Sequence, residues 1–139
     1  MTEPRVEDFP SSWRLRLAWK ILLFDYILLA AASWGILSRG ADLATANGRY
    51  LLAGALANLC LVAMGMIVTI LAFRRGYRWA WFANTVPLFY GIPMITLDAY
   101  HVGFWTVAVV PQAVGFVLLL LGLLLPIDIF WRKYRTGTS

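Results

Sequence analysis

Six side chains set the chemical range of this 139-residue chain: Asp25, Asn58, Asn84, Asp98, His101 and Gln112. Four of them, Asp25, Asn58, Asn84 and Gln112, stand one to each of four long apolar runs. Asp25 is the sharpest, because it interrupts ILLFDYILLAAA. A carboxylate in such surroundings pairs with a cation, takes up a proton or lines a wet cavity. Lys20 lies five positions away, off the i, i+4 spacing, which leaves Arg74, Arg75 or Arg78 as partners from a loop. Asp25 is therefore the candidate ligand-binding or proton-titrating group, with Asn58, Asn84 and Gln112 as its polar company. Asp98 and His101 stand at i, i+3 in LDAYHVGFW, a spacing that suits a hydrogen-bonded pair or general-base chemistry.

Other chemistry lacks its residues. There is no Ser/His/Asp order, no HExxH, no Gly-rich phosphate loop and no second histidine for a haem. Cys60 is the single cysteine and lies in an apolar run, so neither a disulfide framework nor a thiolate metal set is available. No metal and no cofactor is expected, and an enzyme would have to run on carboxylates alone.

The elements that position these groups follow from hydropathy. The chain is 61% hydrophobic, against about half for a soluble domain. The excess lies in blocks at about 17–37, 50–73, 79–97 and 103–127, each long enough at about 1.5 Å per residue to cross or nearly cross a hydrocarbon core of about 30 Å. The tails are too short for a second core. The expected fold is all-α: one transmembrane domain over 1–139, an antiparallel four-helix bundle. The first block looks like a signal-peptide core followed by Ala30-Ala31-Ala32, but Glu3, Glu7, Asp8 and Asp25 mark it as a retained helix.

Charge gives the orientation. Ten of the twelve cationic residues, among them Arg14, Arg74, Arg75, Arg78 and Arg132, flank one side of these crossings, and only Arg39 and Arg49 the other. Flanking Lys and Arg face the cytoplasm. Both termini are then cytoplasmic, in a bacterial-type inner (plasma) membrane, and anionic lipid headgroups are the expected partners on that side. The basic clusters are flanks rather than a domain, so nucleic acid is not expected. Trp79, Trp81 and Trp131 join Arg74, Arg75 and Arg78 as interfacial anchors, with Gly76 allowing the chain to reverse.

Small residues indicate the inner faces, since they let helices approach closely. Ala18, Asp25 and Ala32 share one stripe. Gly54, Asn58, Gly65 and Thr69 share a second, Ala80, Asn84, Pro87, Gly91 and Asp98 a third, and Ala108, Gln112, Gly115, Gly122 and Pro126 a fourth. The four polar residues thus point inward. Their depths pair Asp25 with Asn84, and Asn58 with Gln112. Pro87, Pro93, Pro111 and Pro126 are expected to kink the last two helices.

RRGYRWAWFANTVPLF, then LDAY and LLLLGLLLP before a basic tail, resembles a loose group of small four-helix bacterial membrane proteins with a Trp-Ala-Trp inner loop. Arg75, Gly76, Arg78, Trp79, Ala80, Trp81, Pro87 and Asp98 carry it. The resemblance implies a fold and no activity. The small multidrug transporters also have four helices and an acidic residue in the first, but a glutamate where this chain has Asp25. The first functional expectation is a non-enzymatic membrane protein, an accessory subunit or a binder of a lipid or small hydrophobic molecule. A small proton-coupled transporter, a homodimer that titrates Asp25, is the second. A carboxylate-dependent membrane enzyme using Asp98 and His101 is the third.

Overall fold

A computed structural model describes residues 13–40, 42–103 and 109–132. Arg5, Trp105, Ala108, Lys133, Tyr134 and Arg135 lie outside the described residues. The described chain is all-helical. Its elements are α1 (Trp13–Ser38), α2 (Ala46–Leu71), a 3-10 turn (Phe73–Arg75), α3 (Arg78–Ala83), α4 (Val86–Val102), α5 (Val109–Leu124) and α6 (Ile127–Arg132). Two stretches, Trp13–Ser38 and Ala46–Arg75, are long and apolar enough to cross a membrane, and Val109–Leu124 is apolar but shorter.

The first two blocks form the long helices. Thr45 starts α2 by accepting the Gly48 N–H on its hydroxyl at 3.0 Å, which satisfies a donor that the helix start leaves open. At the far end the chain tightens into the 3-10 turn. Gly76 then takes φ 76°, a left-handed conformation that favours glycine, and reverses the direction into α3.

The α-helical ladder of each of the last two blocks is interrupted, although Asn84 and Thr85 keep right-handed helical backbone angles. The expected helix over 79–97 is two helices separated at Asn84-Thr85, and the one over 103–127 separates at Leu125-Pro126. Pro87 lies in the first turn of α4, where a missing N–H costs little, so it begins a helix instead of kinking one. Thr85 closes the gap with its hydroxyl on the Phe82 carbonyl at 2.6 Å. At the second break, the Leu123 carbonyl accepts the Trp81 indole N–H at 2.9 Å. Trp81 is thus turned towards α5. A carbonyl at a helix end needs a donor, and the indole provides it. Pro93 lies well inside α4.

Packing centres on α1, which lies chiefly against α2 and α5, while α5 also contacts α4. Ala18, Leu22, Asp25 and Tyr26 form its buried face. Glycines receive it. A Cβ on Gly122 would come within 2.6 Å of Leu22, and one on Gly115 within 2.6 Å of Asp25 Oδ1. One on Gly65 would enter the Tyr26 ring. Away from this core, large apolar side chains such as Phe24, Ile27, Ile67, Phe89, Ile92 and Val117 are exposed.

The two ends differ. Arg14 pairs with Asp128 at 3.1 Å, joining α1 to α6. Arg74 lies over the Trp19 ring and Arg78 over Trp131, while the Phe73 and Phe130 rings meet at 5.5 Å. The start of α1, the 3-10 turn, α3 and α6 therefore share one cationic, aromatic pole. At the opposite end Tyr50 meets His101, with ring centroids 4.9 Å apart.

The glycine contacts predict a graded response to alanine. Gly65→Ala and Gly122→Ala should each destabilise the fold by about 1–3 kcal/mol through overpacking. Gly35→Ala has nothing within 4 Å of its new methyl and should be neutral or slightly stabilising. Unfolding in mixed micelles measures all three.

Candidate functional site

The interior holds three separate polar arrangements. The tightest is centred on Asn84, which is fully buried at the α3–α4 break. Its Oδ1 accepts from Tyr26 Oη at 2.7 Å and from Thr69 Oγ1 at 3.0 Å. Its Nδ2 donates to the Ala80 carbonyl at 2.8 Å. One amide thus joins α1, α2 and α3. The helix break explains its place: Asn84 ends α3, where a side chain can turn back onto the last helical carbonyls.

The second arrangement is Asn58 with Ser33, Nδ2 to Oγ at 2.8 Å, between α2 and α1. In the third, Gln112 donates from Nε2 to Asp98 Oδ2 at 2.6 Å, between α5 and α4. Asp98 is buried. Neither expected pairing forms. Asn84 binds Tyr26 and Thr69 rather than Asp25, because its position at the break turns it towards α1 and α2. Asn58 and Gln112 each take a nearer partner on a neighbouring helix. The Asp98–His101 reading is also corrected: Asp98 turns inward to Gln112, while His101 is exposed and lies against the Tyr50 and Tyr100 rings.

Asp25 is the remaining group. It is fully buried, and neither carboxyl oxygen has a hydrogen-bond partner. Arg74, Arg75 and Arg78 belong to the cationic pole and do not reach it. The carboxyl lies against Gly115 of α5, whose missing side chain leaves the room it occupies.

Asp25 also lines a cavity of about 40 Å³ between α1, α2, α4 and α5. A water needs about 10–15 Å³ measured in this way, so the space suits a few waters or one small polar head. The walls are mainly apolar, with Leu61, Tyr90, Met94 and Phe116 among them. Asn58 and Gln112 line it too, so the structure brings three of the four interior candidates to one cavity. Asn84 lines neither this cavity nor a smaller one of about 20 Å³ beside it. The smaller one takes Ser33 and Asp98 together with Asn58 and Gln112, so the two amides form a shared wall. Among the described residues no group of three or more His, Cys, Asp or Glu is placed to hold a metal.

Tyr26, Thr69, Ser33, Tyr90 and Phe116 were not among the expected site residues. Thr69 was legible as a member of the α2 small-residue stripe. Ser33 is a polar residue in an apolar run, the same signal that singles out Asn58. Tyr26, Tyr90 and Phe116 carry no such signal, because an aromatic ring in an apolar run reads as core or lipid contact.

Compared with protein-family models, curated proteins and solved structures, the chain matches none.

The Asn84 node should be the most costly polar group to remove. Asn84→Ala leaves two buried hydroxyls without their acceptor and should destabilise by about 2 kcal/mol. Asn58→Ala removes one part-buried bond and should cost nearer 0.6 kcal/mol, about the average for hydrogen bonds between membrane helices. Equal losses in the two variants would contradict a node at Asn84.

Proposed function

We propose that this chain is an integral membrane protein that crosses a bacterial-type inner membrane four times and holds a small hydrophobic molecule in its interior. Three observations support the membrane placement. Two stretches are long and apolar enough to span. Large apolar side chains are exposed along α1, α2, α4 and α5, as lipid contact requires. The polar groups turn inward instead, towards other helices. In this reading α3–α4 and α5–α6 are the third and fourth crossings, each broken near the cationic pole. The pole faces the cytoplasm, with its arginines and indoles at the anionic headgroups.

The cavity at Asp25 carries the binding role. A buried carboxyl without a partner costs free energy, and a fold retains such a group most readily where something else completes it. The walls are suited to an apolar body, and the carboxyl fixes one end. The protein acts as a binder, alone or as an accessory subunit whose partner the cavity helps to select. A second reading, proton-coupled transport, rests on the same carboxyl. A carboxylate-dependent membrane enzyme is a third reading; Tyr50 stands beside both Asp98 and His101, and no bond joins those two directly.

Orientation is tested with cysteines placed at Arg75 and Asp42, one at a time, after Cys60→Ser removes the natural thiol. An impermeant maleimide added to intact cells should label the cysteine at position 42 and leave that at 75 until the membrane is opened. The reverse pattern inverts the proposed topology.

Binding is tested by native mass spectrometry of the protein gently extracted from its own membrane. Wild type should carry a defined small molecule or lipid at one per chain, and Gly91→Leu, which fills the cavity away from Asp25, should lose it. A bare chain in both cases removes the binding reading. A stoichiometric second protein on wild type favours the accessory subunit.

A further inference from the structure

We infer that the cavity takes a small organic cation: an ammonium head at Asp25 with a short apolar body against the α4 and α5 walls. This rests on the reading of the cavity as a binding site and specifies the class of its ligand. Its carrier is the placement of a fully buried carboxyl with two unpartnered oxygens on the wall of an apolar, aromatic-lined cavity.

The remaining groups on the wall point the same way. A carboxylate offers acceptors only. Each of the two amides that line the cavity spends one N–H elsewhere, Asn58 Nδ2 on Ser33 and Gln112 Nε2 on Asp98, and keeps a second. Helical backbone N–H groups are used within their helices. The Tyr90 hydroxyl is a further side-chain donor among the lining residues. The wall carries no cationic side chain, so it offers an anion no counter-charge, and the unpartnered carboxyl is the group that a cation would complete.

Size and ring content narrow the class. An inorganic cation such as Ca²⁺ takes six to eight oxygen ligands and Mg²⁺ about six, and one carboxylate among apolar walls supplies too few. An ammonium group needs fewer ligands. It gains from a single carboxylate within about 4 Å, and the faces of Tyr90 and Phe116 are the kind that attract organic cations. A cavity of about 40 Å³ admits an ammonium head and a short or flat body, not a large amphiphile. Met94 adds a flexible, polarizable wall that adapts to the body's shape. Gly115 completes the design: any side chain there would displace the carboxyl.

The test uses the full chain in nanodiscs of uncharged lipid and two probes of the same shape, 4-fluorobenzylammonium and 4-fluorobenzyl alcohol, followed by fluorine NMR. Wild type should bind the ammonium saturably and at least tenfold more tightly than the alcohol. Asp25→Asn should remove that preference and leave the alcohol unchanged. Equal binding of the two probes by wild type, or a preference that survives Asp25→Asn, overturns the cation assignment while the cavity reading stands. Saturable binding of neither probe, with native mass spectrometry showing no bound molecule, removes both. Gly91→Leu covers the case in which Asp25→Asn does not fold. It leaves the carboxyl in place and should abolish ammonium binding, and ammonium retained in that variant puts the cation elsewhere and sinks the inference.

Discussion

The close approach of α1 to α2 and α5 is the constraint on which the other interior features depend. Leu22, Asp25 and Tyr26 share the face of α1 that glycines receive: Gly122 against Leu22, Gly115 against Asp25, Gly65 against Tyr26. Close van der Waals packing between helices requires that no side chain stand between their backbones. Glycine makes this possible by removing the side chain between a helix and its neighbour. Gly115 and Gly122 are seven apart, two turns of α5, so they present two notches on one face to two successive turns of α1. A shift of α1 along its axis would drive Leu22 into backbone.

That register then decides which polar groups meet. With Tyr26 held over Gly65, its hydroxyl reaches Asn84 at 2.7 Å, and Thr69 on α2 reaches the same oxygen. Asn84 can receive both only because the helix ends there. An asparagine in the middle of a continuous helix would more readily turn to lipid or to its own backbone. The break before Pro87 is thus a structural device that places one amide among three elements. The break before Pro126 is its counterpart, giving up a carbonyl of α5 to the Trp81 indole. Both breaks lie towards the cationic pole, while α4 and α5 run continuously past the cavity.

Much of the scaffold was legible in the sequence. Runs of apolar residues located the helices, and small-residue spacing picked out Ala18, Gly65, Gly115 and Gly122, all buried in the structure. What escaped was the identity of polar partners. Depth along a helix is readable from counting residues, but the rotation of one helix about its axis relative to another is not. Asp25 and Asn84 sit at similar depth, yet Asn84 is turned to Tyr26 and Thr69. Proline breaks were also underestimated. A proline marks where a hydrogen bond is lost, and the local residues decide the outcome: Thr85 closes a turn onto Phe82, whereas Pro93 stays within α4.

Asp25 and Tyr26 are successive residues, and their side chains leave α1 about 100° apart. Tyr26 is fixed by Asn84 on one side, so the rotation of α1 is fixed, and with it the direction of Asp25 towards Gly115 and the cavity. The satisfied node therefore orients the unsatisfied group. This ordering explains how a buried carboxyl without a partner can be tolerated in so small a fold. The cost of leaving it unpartnered would be relieved by a rotation of α1 towards the outside or a polar neighbour, but that rotation would break the bond of Tyr26 to Asn84 and lift Leu22 from its glycine notch. Several well-packed contacts hold one unfavourable group in place, which is the arrangement expected where a site is kept ready for something that arrives later.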